Sequence, residues 1–118
     1  MKPISEMPLD TIRSLKYILC DIDDTLTTGG KLTSEAYAAM WKLHDAGLKV
    51  IPVTGRPAGW CDLIIREWPA AAVVGENGAF AFYMRDDHIH TLTHPNVAGD
   101  AQERLQAVKE RVLNEVPG

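Results

Sequence analysis

Along the chain, apolar residues appear first as a short continuous run and then at helical spacing. Tyr17-Ile18-Leu19-Cys20 is unbroken and is stopped by an acidic, threonine-rich stretch, which predicts a fully buried parallel strand. A helix should follow: Thr33 or Ser34 can cap it, Glu35 suits the positive end of its dipole, and Tyr37, Met40, Trp41 and His44 recur on one side before Gly47 ends it. Leu48 to Val53 reads as a second strand. Pro52 is expected near its end or where an amide has no partner, because proline cannot donate to a ladder. Gly55-Arg56-Pro57 predicts a sharp turn with Pro57 at the first position of a second helix, which runs through Trp60, Leu63 and Ile64 to about Trp68.

Ala72-Val73-Val74 predicts a third short strand. After Gly75-Glu76-Asn77-Gly78, the segments Phe80 to Tyr83 and His88 to Thr93 flank Arg85-Asp86-Asp87 and predict a hairpin. A last helix is expected from Asp100, where Asp100 and Glu103 resemble a capping box and Leu105, Val108 and Val112 make an apolar stripe. Strand and helix patterns alternate as in βαβ units, so the fold class is α/β with a Rossmann-like parallel sheet.

Composition narrows the class. The chain has 118 residues, 46% hydrophobic and 24% charged, which suits one globular domain able to bury about two-thirds of its unfolded surface. Cys20 and Cys61 are the two cysteines, with no zinc-like spacing around them, so reduced thiols are expected. Met1 to Asp10 lacks a signal-peptide core and no segment approaches a membrane span, which leads to an expectation of a cytoplasmic protein with no membrane partner. The net charge of -4, without clustered Lys and Arg, argues against a nucleic-acid partner.

The chemistry concentrates in Asp21-Ile22-Asp23-Asp24-Thr25-Leu26-Thr27, directly after the first strand. Open α/β sheets bind ligands at the carboxyl ends of their strands. Residues two apart on an extended chain point the same way, so Asp21 and Asp23 can share a site while Ile22 returns to the core. Crowded carboxylates repel unless a cation sits between them, and a hard ion such as magnesium fits a few carboxylates plus a substrate phosphate. A solvated acidic loop or a helix cap is the plain alternative.

These residues resemble a known family. Asp21 to Thr27 is similar to the first signature of haloacid-dehalogenase (HAD) phosphatases and mutases, and Val53-Thr54-Gly55-Arg56 is similar to the second. Glu76-Asn77-Gly78-Ala79 resembles the subgroup with a large α/β cap after the third strand, which includes sucrose-phosphate and mannosyl-phosphoglycerate phosphatases and phosphomannomutases. The resemblance implies residues 1–79 as the N-terminal half of a HAD core, and residues 80–118 as a hairpin and helix at the start of the cap.

It also implies roles. Asp21 would attack phosphorus to form an aspartyl phosphate, and Asp23 would serve as acid and then base. Magnesium would rest on the Asp21 carboxylate and the Asp23 carbonyl. Thr54, Gly55 and Arg56 would bind the phosphate of a small phosphorylated sugar or metabolite, with the dipole of the helix near Pro57 in support. For Thr54 the plain alternative is turn chemistry. Arg56 can bind an anion or pair with Glu76 or a loop Asp, and Asn77 can reach substrate or make an Asn-Gly turn. Thr25 is expected to shape the loop, and Asp24 to face solvent.

His88, His90 and His94 invite a metal reading, but no carboxylate or cysteine completes a set, so an exposed polar hairpin is expected. Trp41, Trp60 and Trp68 fall on helices and are expected as core or interface anchors. Set against the family, the sequence lacks a lysine after the cap and a later acidic loop, and it stops inside what should be the cap. Weak or absent turnover is therefore expected, and the first strand should form an open edge through which the chain pairs with another copy or a partner. Two other classes stay open: a phospho-receiver signalling domain, which would want an aspartate where Gly75 and Glu76 stand, and a non-catalytic interaction remnant.

Overall fold

The computed structural model describes residues 3–97 and 99–116. Its strands are β1 (Tyr17–Asp21), β2 (Thr27–Thr28), β3 (Lys31–Leu32), β4 (Lys49–Val53), β5 (Val73–Gly75), β6 (Phe80–Arg85) and β7 (His88–Thr93). Its helices are α1 (Leu9–Ser14), α2 (Ser34–Asp45), α3 (Ala58–Glu67) and α4 (Ala101–Glu115). One sheet runs in the order β1-β4-β5-β6-β7, parallel from β1 to β5 and antiparallel from β5 to β7. This is the α/β, Rossmann-like arrangement that the alternating pattern predicts, extended by the expected hairpin.

Local chemistry sets most boundaries. Thr33 caps α2 by accepting the Ala36 amide at 3.2 Å, and Gly47 leaves the helix at φ +82. Pro57 is not the first residue of α3, as expected, but the one before it: its ψ of 167° is extended, and its carbonyl accepts from Trp60 and Cys61. In the hairpin, Asp86 and Asp87 take φ of +51 and +60, the twist a two-residue turn needs to match its strands. The capping box at Asp100 does not form, since its side chain makes no cap bond, and Leu105, Val108 and Val112 lie exposed along α4. Two elements were not foreseen: α1, and the β2–β3 ribbon, whose Gly29-Gly30 turn has both φ values positive.

Pro52 leaves a mark on the sheet. The β4–β5 ladder holds only Val53↔Val74, with an isolated bridge at Val50↔Ala70 on the far side of the proline. Val50 accepts from Ala71 and Thr54 donates to Val74, so the missing Pro52 donor falls between them. The pairing therefore survives at the carboxyl end, next to the loops that carry the chemistry.

The core lies on one face of the sheet. Ile22, Cys61, Ile64, Ile65 and Val73 are its buried centre, with Leu26, Trp68, Phe80, Phe82 and Ile89 packed around them. The opposite face stays open among the described residues. By strand register it carries Tyr17, Leu19, Ile51, Val53, Val74, Ala81 and Leu92, of which Leu19 is 66% exposed. The strand β1, expected to be fully buried, is thus half-buried: it has one hydrogen-bonded neighbour among the described residues and alternates between the core and the open face. No helix of the described residues is long and apolar enough to cross a membrane.

Gly75 lies on β5 against side chains from both α3 and β6. A Cβ there would lie 2.3 Å from Phe80 Cζ and 2.8 Å from Cys61 Sγ. Gly75→Ala should therefore cost about 1–3 kcal/mol of stability by overpacking. Urea denaturation would read this as a lower midpoint, and an unchanged midpoint would contradict the packing described.

Candidate active site

Ile22 sets the geometry of the first loop. Its side chain is fully buried, and its carbonyl accepts from the amides of Thr25, Leu26 and Thr27 at 3.3, 3.0 and 2.9 Å and from Thr27 Oγ1 at 3.0 Å. The chain thus winds tightly around one oxygen, with Asp24 in the left-handed region at φ +56. Asp21 and Asp23 flank this anchor and remain exposed, while Ile22 returns to the core as its alternation predicts. Asp24 is exposed, as expected of a solvent-facing residue, and Thr25 is exposed beside it.

The second loop leaves β4 beside the first. Asp21 pairs with Val53, the residue before Thr54, so the first acid and the threonine stand at the same end of adjacent parallel strands. Thr54 is buried, and its Oγ1 accepts the Arg56 amide at 3.1 Å. This is the turn chemistry foreseen as the plain reading of Thr54, and it leaves the hydroxyl proton available to an acceptor.

The third loop closes on the second. Glu76 donates its amide to the Arg56 carbonyl and Asn77 to the Thr54 carbonyl, each at 3.1 Å. Both residues have positive φ, +47 and +56, a conformation that costs on the order of 1–3 kcal/mol each and persists only where neighbours hold it. The Asn77 side chain lies against Gly55, where a Cβ would come within 3.1 Å of Asn77 Oδ1. Glycine at position 55 thus keeps the Asn77 amide close to the Thr54 turn.

Arg56 joins the loops by charge. Its Nε donates to Asp23 Oδ2 at 3.0 Å and its Nη2 to Asp23 Oδ1 at 2.5 Å, a bidentate pair. Of the partners left open for Arg56, the one found is this loop aspartate. Arg56 Cζ also lies 4.5 Å from the centre of the Trp60 ring, on the first turn of α3. Of the core or interface roles expected for the tryptophans, Trp60 does not take the core one: its ring is half-exposed and supports the guanidinium. Nothing in the sequence beyond its place four residues after Arg56 signalled this. Trp41 is also exposed and forms an edge contact with His44, whereas Trp68 packs on the core.

Electrostatics follow the same contacts. The hydrogen bonds from Arg56, with its charge, hold the Asp23 carboxyl below the usual carboxylate range, and Asp23 in turn raises Arg56. Burial pushes the thiols of Cys20 and Cys61 up, which leaves both poor nucleophiles. The histidines of the hairpin are exposed: His88 meets the Asp86 carbonyl, His90 stacks on Tyr83 and His94 accepts the Asn96 amide. Among the described residues no group of three or more His, Cys, Asp or Glu could hold a metal ion.

With this geometry in place, the likeness to known proteins is specific. A family model for haloacid dehalogenase-like hydrolases matches residues 18–113. A phosphoglycolate phosphatase of Pyrobaculum neutrophilum is 30% identical over 96 residues, which are 79% of this chain and 40% of that protein. A phosphoglycolate phosphatase of Pyrobaculum aerophilum is 29% identical over 91 residues, 75% of this chain and 37% of its own length. Among solved structures, the haloalkanoate-superfamily phosphatase BT1666 of Bacteroides thetaiotaomicron matches with a TM-score of 0.57 and 28% identity, covering 90% of this chain and 39% of that one. The chain thus spans about two-fifths of the curated relatives it matches.

The Asp23 pair gives a testable pH effect. A carboxyl with a folded pKa below its unfolded value stabilises the fold above the unfolded value, and loses that contribution as pH falls through the folded one. Arg56→Gln should raise the Asp23 pKa back toward the ordinary carboxylate range and remove its share of the acid limb. Carbon-13 carboxyl NMR would read the shift, and an Asp23 titration unmoved by the substitution would contradict the pair.

Proposed function

The chain belongs to the haloacid dehalogenase-like hydrolases, and on that footing we propose that it acts as a magnesium-dependent phosphomonoester hydrolase working through an aspartyl phosphate. The observation that carries this reading is the tie between Asp23 and Arg56, which draws the loop after β1 and the loop after β4 into one site beside Asp21. Asp21 supplies the attacking carboxylate oxygen. The ester oxygen leaves from phosphorus and takes a proton from Asp23, which later accepts a proton from the water that hydrolyses the acyl phosphate. The Thr54 hydroxyl and the Arg56 fork bind phosphate oxygens, and Gly55 allows the close approach.

The donors suit magnesium. The Asp21 carboxylate is exposed at the strand end, and with the Asp23 main-chain carbonyl, which the family resemblance implies as its companion, it would hold the ion. When bound there, the ion would neutralise charge on the transferring phosphoryl group. Two protein oxygens leave the rest of the magnesium shell to water and substrate phosphate. The substrate class proposed is a small sugar phosphate or metabolite, a choice supported by the phosphoglycolate phosphatases among the relatives. In this reading residues 80–118 lead into a cap, although β6 and β7 continue the sheet of β5, and the setting is cytoplasmic.

Beryllium fluoride with magnesium should form an adduct on Asp21, visible by fluorine-19 NMR and lost in Asp21→Asn. Any hydrolysis should fall by about 10²–10⁴ in Asp23→Asn. An adduct that survives Asp21→Asn would sink the assignment. We further propose that the open edge of β1, with Tyr17 and Leu19 exposed, pairs with a second copy. Light scattering at micromolar concentration should find a dimer that Leu19→Lys weakens, and a monodisperse wild-type monomer would rule it out.

A further inference from the structure

Arg56 is the sole Lys or Arg within 21–28, 53–57 and 75–79, the segments that build the site. In the structure this cation is fully engaged by an internal anion. Its fork covers both oxygens of Asp23, and the guanidinium lies over Trp60. A guanidinium fork fits carboxylate and phosphate by the same geometry, so an incoming phosphate must compete with Asp23 for it.

We propose that Arg56 is a two-position clamp: its fork leaves the Asp23 carboxylate for the phosphate of the incoming ester, and the arrival of substrate thereby frees Asp23. The inference rests on the phosphate-site reading above and adds a competition between two anions for one cation. Three observations carry it. The first is an asymmetry of exposure: the Arg56 side chain is 16% exposed and the Asp23 side chain 52%. A released Asp23 regains water readily, whereas the less exposed Arg56 gains more from an anion in front of it. The second is the fixed main chain of Arg56, whose amide is held by Thr54 Oγ1 and whose carbonyl accepts from Glu76, so the exchange requires movement of the side chain alone. The third is the Trp60 ring, which supports the guanidinium by its face and is indifferent to the anion in front.

The consequence is an ordered site. Before substrate binds, Asp23 is tied down and cannot reach a leaving oxygen. Once the dianionic phosphate takes the fork, Asp23 loses the cation that keeps it ionised, can take up a proton from water and turns to the departing group. Trp60 then acts as a positioning residue, since it keeps the guanidinium within reach of both partners.

The test is a double-mutant cycle on binding of inorganic phosphate, measured by calorimetry at fixed magnesium. Asp23→Asn should tighten phosphate by about tenfold through the freed fork, and Arg56→Gln should weaken it by about tenfold. In the Arg56→Gln background, Asp23→Asn should change affinity by less than about twofold. Arg56→Lys, which keeps the charge without the fork, should fall between wild type and Arg56→Gln. Nitrogen-15 NMR adds a direct readout: in wild type, phosphate should shift the Arg56 Nε–H and Trp60 indole resonances, and a folded spectrum for each variant excludes simple unfolding. If Asp23→Asn tightens phosphate equally with and without Arg56, the effect is general charge and the clamp is overturned while the phosphate site stands. If wild type binds no phosphate and forms no beryllium fluoride adduct, the site reading fails and takes the clamp with it.

Discussion

The burial of Ile22 is the constraint from which the rest of the site follows. Its side chain is anchored in the core with Cys61, Ile64 and Val73, and its carbonyl gathers four donors from the residues just after it. With both ends of one residue fixed, the acids on either side have little freedom: Asp21 must finish the strand and Asp23 must open the loop. A polar residue at position 22 would lose the anchor and leave the loop to find its own course, so two acids separated by an apolar residue are a structural requirement as much as a chemical one.

The second constraint is the way the sheet fails in its middle and holds at its end. Pro52 removes a donor between β4 and β5, yet Thr54 still donates to Val74 and the loop of Glu76 and Asn77 bonds back to Arg56 and Thr54. The three loops are thus knitted to one another more firmly than the strands beneath them are at the proline. Glu76 and Asn77 hold left-handed conformations there, and the bonds to Arg56 and Thr54 are what offset that strain. The charge tie between Arg56 and Asp23 completes the link to the first loop.

Much of this was legible in the sequence, and the parts that were not share a cause. The strands β1, β4 and β5, the helices α2 and α3, the hairpin and the return of Ile22 to the core follow from local periodicity and turn residues, which depend on neighbours in the chain. The partner of Arg56 and the role of Trp60 depend on which loops meet in space. Sequence could narrow Arg56 to an anion, Glu76 or a loop aspartate, but the choice of Asp23 needed the parallel register of β1 and β4. The capping box at Asp100 failed for the converse reason. Its residue types are right, but among the described residues α4 buries no side chain against the rest of the fold, and a helix gains most of its stability from such packing.

The open face of the sheet bears on the site more directly than its distance along the chain suggests. Side chains alternate on a strand, so Tyr17, Leu19 and Asp21 all project from the same face of β1. Their registered neighbours on β4 are Lys49, Ile51 and Val53. The apolar strip that wants cover therefore runs straight up to the carboxylate at its end. Whatever packs on Leu19 and Ile51 stands one pleat from Asp21, and it would lower the local dielectric around that carboxylate while excluding water from one side of it. Stability of the sheet and strength of the electrostatics at the acid are for that reason not independent: a cover that buries the strip also sharpens the interaction of Asp21 with any cation or phosphorus placed before it.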